Sequence, residues 1–132
     1  MGRLVLLRHI EPDANEHFDL LLERDDRPTV ERRLLTFRLD RPIDLAEVAE
    51  FNATRSPDHR AVYLDYEGPL PAPGRPGSDA RGVVERVATG RCTISAETPD
   101  FAEVSVEIGS RAARFTGERV AGAGDAWRFT RA

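Results

Sequence analysis

The sequence predicts an all-β protein with one short helix, folded as a closed or partly open antiparallel β-barrel. Short runs of alternating apolar and polar residues recur along most of the chain, turn residues separate them, and only one segment has a helical pattern. The chain has 132 residues, which suits a single hydrophobic core, and it contains no internal repeat and no dividing linker. We therefore expect one domain over residues 1–132.

The N-terminal part of the chain predicts a meander of antiparallel strands. Residues 3–10 form a compact apolar run, HFDLLLER at 17–24 alternates, and residues 30–39 are rich in strand-forming side chains. Turn residues fill the two gaps, at 11–16 and at 25–28. Because the gaps are short, each strand should pair with the next as a hairpin.

The alternation in HFDLLLER divides the second strand into two faces. Side chains two residues apart leave a strand on the same face. One face carries Phe18, Leu20 and Leu22, and the other carries His17, Asp19, Leu21 and Glu23. The polar half of the pattern therefore begins with a histidine and an aspartate that point the same way.

The rest of the chain contains the helix and the remaining strands. Asp44 opens the helical pattern DLAEVAEF as its N-cap, a loop follows at 52–59, and a strand is expected at 60–68. Residues 69–81 are dense in proline and glycine and predict an irregular surface loop. From Gly82 onward five strands are expected: GVVERVA, RCTISAE, AEVSVEI, AARFTGERV and AWRFTRA.

Composition narrows the class of partner. All 19 basic residues are arginine and the formal net charge is −4, so any contact with nucleic acid should be a local patch of guanidinium groups. The only cysteine, Cys92, is expected to be a small structural residue of a strand. No apolar run approaches the roughly 20 residues of a membrane span. The start MGRLVLLRHI is too quickly charged for a signal peptide, and we expect a cytoplasmic protein without membrane association.

Two histidines and an aspartate predict a metal site. His17 and Asp19 share a strand face with Cα atoms about 7 Å apart. If the first two strands form a hairpin, His9 lies across from His17 at about 5 Å between Cα atoms. Such a set suits Mn²⁺, Fe²⁺, Co²⁺ or Zn²⁺ and has too much nitrogen for Mg²⁺ or Ca²⁺. The alternative for a His-x-Asp on a strand is a hydrogen-bonded surface pair.

Two motifs resemble the 3′-phosphoesterase domain of bacterial DNA ligase D, which also occurs as small stand-alone proteins. That family has a histidine followed by His-Tyr-Asp-Leu-Arg-Leu-Glu, which His9 and HFDLLLE at 17–23 match. Its second motif is Asp-His-Pro, a tyrosine and Asp-Phe-Glu-Gly, which DHR at 58–60, Tyr63 and DYEG at 65–68 match. The likeness spans nearly the whole chain.

The resemblance implies a β-barrel that carries one Mn²⁺ on its concave side and trims ribonucleoside or phosphate from DNA 3′ ends. Zn²⁺ or Co²⁺ are other candidate ions. His9, His17 and Asp19 match the metal ligands, while His59 and Tyr63 match groups that contact the phosphate and assist its displacement. The implied partners are the 3′ end of primer-template DNA or a smaller phosphoester, and DNA repair ligases or polymerases.

The chain departs from the family pattern at the arginine that binds phosphate, which is replaced by Leu21. Arg41 and Arg55 fall near other basic positions of the family, and Arg38 lies close to them in sequence, so these three arginines are the candidates for the lost charge. A missing guanidinium at a phosphate is costly in phosphoryl transfer.

Two further functions are open at this stage. Loss of the arginine would leave a domain that keeps the fold and the ion but only binds DNA ends or a repair partner. The iron site of one class of oxygenases consists of two histidines and one carboxylate, and by chemistry alone the chain offers such a set in His17, His59 and Asp19. In any metal site, Glu23 and Asp65 are candidates to orient the imidazoles.

Overall fold

The computed structural model describes residues 1–70 and 81–132, and in that part the chain forms nine β-strands and a single 3-10 helix, which spans Ala61–Leu64. The strands are β1 Gly2–Ile10, β2 Glu16–Glu23, β3 Leu34–Leu39, β4 Glu50–His59, β5 Gly68–Pro69, β6 Val83–Thr98, β7 Phe101–Ile108, β8 Arg111–Arg119 and β9 Ala126–Arg131. Most of the predicted surface loop at 69–81 lies outside the described residues. None of the helices described is long and apolar enough to cross a membrane.

All strand pairings are antiparallel, and the strands form a ring. The order in the sheet is β1-β2-β3-β4-β9-β8-β7-β6-β5, and β1 also pairs with β6. The long strand β6 closes the ring because its first part pairs with β1 and its last part with β7. The ring is not a regular barrel, but the predicted all-β antiparallel fold is confirmed.

The main core fills the interior of the ring. It contains buried side chains from all the ring strands, among them Leu4, Phe37, Phe115 and Trp127. Cys92 is fully buried here, and burial raises the pKa of its thiol to about 12, so the expected small structural residue packs in the core.

A second apolar cluster lies on the outer face of β1 and β2. β2 is buried on both faces because the 3-10 helix and the residues after it cover its outer side. This outer cluster consists of Val5, Leu7, Leu21, Leu34, Tyr63, Leu64 and Val84, with Tyr66 and Leu70 packed against it.

The predicted helix at Asp44 is wrong beyond a single turn. The Val48 amide donates to the Asp44 carbonyl at 2.8 Å, and the Asp44 carboxylate accepts from the Ala46 amide at 3.0 Å, as an N-cap would. The turn cannot continue because the chain from Glu50 onward pairs with β9. Tertiary pairing here overrides a local helical preference.

The predicted loop at 52–59 is also wrong, because these residues belong to β4. The register between β3 and β4 shifts between Leu34 and Thr36. Pro57 lies at this irregularity, where a residue without an N–H can be accommodated in a strand. The predicted strand at 60–68 is replaced by the 3-10 helix and only two strand residues, Gly68 and Pro69.

The two strands expected on either side of Gly90 are one continuous strand, β6. A Cβ atom at Gly90 would lie 2.3 Å from the Glu107 carbonyl oxygen of β7, so the neighbouring backbone approaches too closely for any side chain. Gly90 therefore allows close packing inside the sheet and does not form a turn.

A buried ionic network joins β4 to β6. The Arg24 side chain is only 5% exposed and donates to both carboxylate oxygens of Glu97, at 2.8 and 2.6 Å. It also donates to Asp58 at 2.8 Å, and Arg55 donates to Asp58 at 2.6 Å. Burial would raise the pKa of Asp58, but the hydrogen bonds from Arg24 and Arg55 outweigh it and lower that pKa.

Replacing Arg24 should destabilise the fold strongly. Arg24→Met leaves the partly exposed carboxylates of Asp58 and Glu97 without their shared cation, so we expect the free energy of unfolding to fall by about 2 kcal/mol in urea denaturation at neutral pH, between the values for exposed and fully buried pairs. The lowered pKa of Asp58 means that its contribution is present above its ordinary pKa of about 3.9 and is lost as the pH falls through the lower folded value. The difference between wild type and variant should therefore shrink in acid.

The matched control is Arg119→Met, which removes an exposed ion pair with Asp100. That variant should lose less than about 1 kcal/mol. Equal losses in the two variants would contradict a structural role for the buried network.

Candidate metal centre

The pairing of β1 with β2 brings the predicted metal ligands together. His9 lies directly opposite His17 in the antiparallel register, as the hairpin predicted. Asp19 lies two residues further along β2, opposite Leu7, and so leaves the same face as His17. Both His17 and Asp19 are buried.

The side-chain atoms are spaced as the ligands of one ion. His9 Nδ1 is 3.1 Å from His17 Nε2, and His17 Nε2 is 3.4 Å from Asp19 Oδ2. All three ligand atoms lie within 4.8 Å of one another. Bonds of about 2.1 Å to a transition metal place adjacent ligand atoms roughly 3.0 to 3.4 Å apart. The residues therefore fit a divalent transition metal, and the spacing favours no particular ion.

A backbone carbonyl sets the tautomer of His9. The carbonyl oxygen of Arg81 is 2.6 Å from His9 Nε2 and can only accept, so the proton is on Nε2 and Nδ1 carries the lone pair that faces His17. Glu11 Oε1 lies 3.7 Å from His17 Nδ1, on the side of that ring away from Asp19. The Arg81 carbonyl thus takes the orienting position that the sequence suggested for other residues, while Glu11 lies beyond hydrogen-bond distance of His17.

The structure does not bring Glu23 and Asp65 to the imidazoles. Glu23 accepts hydrogen bonds from the Arg33 side chain at 2.8 Å and from the Arg3 amide at 3.0 Å. Asp65 is exposed and pairs with the Arg3 guanidinium at 2.6 Å, which lowers the pKa of its carboxyl group. Both carboxylates hold the N-terminal strand in place instead.

The three ligands open into a hollow of about 180 Å³ on the outer face of the sheet. We call it the metal hollow, and its lining is His9, His17, Asp19, Arg38, His59 and Tyr63 with Leu7, Leu70, Arg81 and Val84. The resemblance implied a site on the concave side of the barrel, but the interior of the ring is filled by the main core. The site lies instead where the outer cluster ends.

His59, at the end of β4, and Tyr63, in the 3-10 helix that covers β2, both line the metal hollow. Their ring centroids are 5.8 Å apart and Tyr63 is 8% exposed. His59 Nδ1 donates to the Pro57 carbonyl at 2.9 Å, which leaves Nε2 as the ring nitrogen available to a ligand. The sequence named these two residues through the family motif, and the structure gathers them with the metal ligands.

One of the three candidate arginines lies at the metal hollow. Arg38 is directly opposite Asp19 across β2 and β3, is exposed, and forms no ion pair with any described residue. Arg55 is held by Asp58 and by the carbonyls of Thr36 and Ser56, so its guanidinium is committed to the fold. Arg41 lines a separate hollow with Asp40 and Asn52.

Leu21 cannot contribute to binding an anion. It is fully buried in the outer cluster, beside Leu7 and Leu34. The position that matches the family's arginine therefore serves packing in this chain, and the arginines that line the metal hollow are Arg38 and Arg81.

Comparison with known proteins assigns no family. No family model matches the chain, and neither does any protein of curated function. Within residues 1–70 and 81–132, His9, His17 and Asp19 form the only group of three or more ligating side chains close enough to share an ion. That group excludes His59, so the set proposed for an iron oxygenase is not the one that the structure assembles.

Purified protein should bind one equivalent of Mn²⁺ or Zn²⁺, measured by isothermal titration calorimetry after removal of metal. His17→Ala should weaken binding by about 100-fold or more, because loss of a ligand costs at least as much as loss of a group that orients one. His59→Ala is the matched control and should bind like wild type. Equal affinity in all three proteins would rule out this centre.

Proposed function

We propose that the protein is a phosphoesterase dependent on a divalent transition metal, which removes a terminal ribonucleoside or phosphate from DNA 3′ ends. The observation that carries the proposal is the metal hollow, which unites three metal-ligating atoms with two arginines, a histidine and a tyrosine. The resemblance to the ligase D phosphoesterase domain supports the same reaction and names Mn²⁺ as the ion.

A bound divalent ion would supply positive charge to the phosphate oxygens and make an attacking water more acidic. The Arg38 guanidinium adds a permanent positive charge at the same place, since Arg38 of β3 lies directly opposite Asp19 of β2. A guanidinium can donate two parallel hydrogen bonds to a phosphate. These charges favour an anionic ligand even though the whole chain is acidic.

His59 is suited to proton transfer. In hydrolysis a water oxygen forms a bond to phosphorus, and the bond from phosphorus to the nucleoside or DNA oxygen breaks. His59 Nε2 can give a proton to the leaving oxygen, and the proton released by the water restores the ring. The hydrogen bond from Nδ1 to Pro57 holds the ring in place during this exchange.

Tyr63 is suited to stabilising charge on a non-bridging phosphate oxygen. Its ring is packed in the outer cluster beside Leu21 and Leu34, so its position is determined by apolar contacts rather than by solvent. A phenol held in this way can donate a hydrogen bond as charge develops.

The proposed function is tested with Mn²⁺ and a primer-template duplex whose primer ends in one ribonucleotide. Wild type should shorten the primer, while His17→Ala and wild type with excess EDTA should leave it intact. If the metal-loaded protein binds the duplex without shortening it, the chain is an end-binding module that has lost turnover, and the proposal is wrong.

Arg38 should supply the positive charge of the phosphate-binding arginine whose position is occupied by Leu21 in this chain. Arg38→Gln keeps a polar side chain without the cation, and we expect kcat/KM to fall by about 100-fold or more. Arg114→Gln is the matched control, because Arg114 is exposed on β8 and lies outside the metal hollow, and it should retain wild-type kinetics. Equal kinetics for Arg38→Gln and wild type would remove the arginine from the proposed mechanism.

A further inference from the structure

A second hollow of about 330 Å³ adjoins the metal hollow. The two share His17 and Arg38, so a ligand held by Arg38 can extend from one into the other. The second hollow continues over the outer side of β4 past Asn52 and Thr54 and ends at Ala126 and Val120. Its volume is at the lower end of the range for small-molecule sites.

Strand register leads directly from the metal ligands into the second hollow. Asp19 of β2 lies opposite Arg38 of β3, and Arg38 lies opposite Thr54 of β4. Thr54 in turn lies opposite Ala126 of β9. These four opposing residues therefore begin with Asp19, a proposed metal ligand. They continue with Arg38, the proposed phosphate contact, and end with the neutral residues Thr54 and Ala126.

The lining of the second hollow is unlike that of the metal hollow. Beyond Arg38 its charged groups are the carboxylates of Glu16 and Asp40, and Glu16 is already paired with Arg8. A second phosphate would be repelled by these carboxylates. Asn52 and Thr54 are exposed and offer an amide and a hydroxyl group.

The far end of the second hollow is apolar. Ala53, Val120 and Ala126 lie there with Trp127, whose indole packs in the main core. The lining therefore suits a neutral ligand with one apolar part and several hydroxyl or amide groups.

We propose that the second hollow binds the terminal nucleoside of the substrate, with its phosphate at Arg38 and the metal ligands. The inference rests on the proposed function and extends it to the recognition of the group that is released. The Asp40 carboxylate accepts hydrogen bonds from ribose hydroxyl groups, the Asn52 amide pairs with the polar edge of the base, and the base packs on Val120 and Ala126.

Trp127 is the only tryptophan in the chain, so its fluorescence reports on the second hollow without requiring turnover. In the presence of Mn²⁺, uridine 5′-monophosphate should change the emission of Trp127 in a saturable way, while inorganic phosphate should not. Asn52→Leu should weaken the nucleotide response at least 10-fold and leave phosphate binding, measured by calorimetry, unchanged. Absence of a nucleotide response in wild type would overturn the inference.

Kinetics with two primers separate failure of this inference from failure of the proposed function. One primer ends in a ribonucleotide and the other in a 3′-phosphate, which has no terminal nucleoside. Asn52→Leu should lower kcat/KM at least 10-fold for the first primer only, with an unchanged melting temperature. Equal loss on both primers would overturn the inference alone, whereas a wild type that processes neither primer contradicts the proposed function.

Discussion

The antiparallel register between β1 and β2 is the constraint on which the candidate site depends. His9 and His17 meet only because they are directly opposite, and Asp19 joins them only because it shares the strand face of His17. A slip of one residue would turn His17 and Asp19 toward the main core and expose Phe18 and Leu20. Burial of β2 on both faces makes such a slip costly, so the same apolar packing that stabilises the ring also positions the ligands.

The outer cluster links the fold to the chemistry. β4 ends with His59 at the rim of the metal hollow, and the 3-10 helix that follows buries Tyr63 and Leu64 against β1 and β2. Apolar surroundings lower the local dielectric and strengthen the interactions of charges placed there. Leu21 belongs to this packing, and the cation at the site comes from the neighbouring strand instead.

Much of the site could be predicted from the sequence because it depends on local alternation. The pattern at 17–23 has a period of two residues, and a short loop before it leaves β1 little choice of partner, so His9, His17 and Asp19 could be grouped without a structure. The segment 44–68 was predicted poorly because Pro57 suggests a loop unless the bulge opposite it is known. The carbonyl of Arg81 and the selection of Arg38 over Arg55 depend on contacts between distant parts of the chain, which no local pattern records.

The central claim is that His9, His17 and Asp19 hold one divalent metal ion, and anomalous X-ray scattering tests it most directly. Crystals soaked with Mn²⁺ should show a single strong peak at about 2.1 Å from His9 Nδ1, His17 Nε2 and a carboxylate oxygen of Asp19. A peak at a different position would contradict the account. So would the absence of any peak at saturating Mn²⁺ when the His9 and His17 rings are ordered as described here.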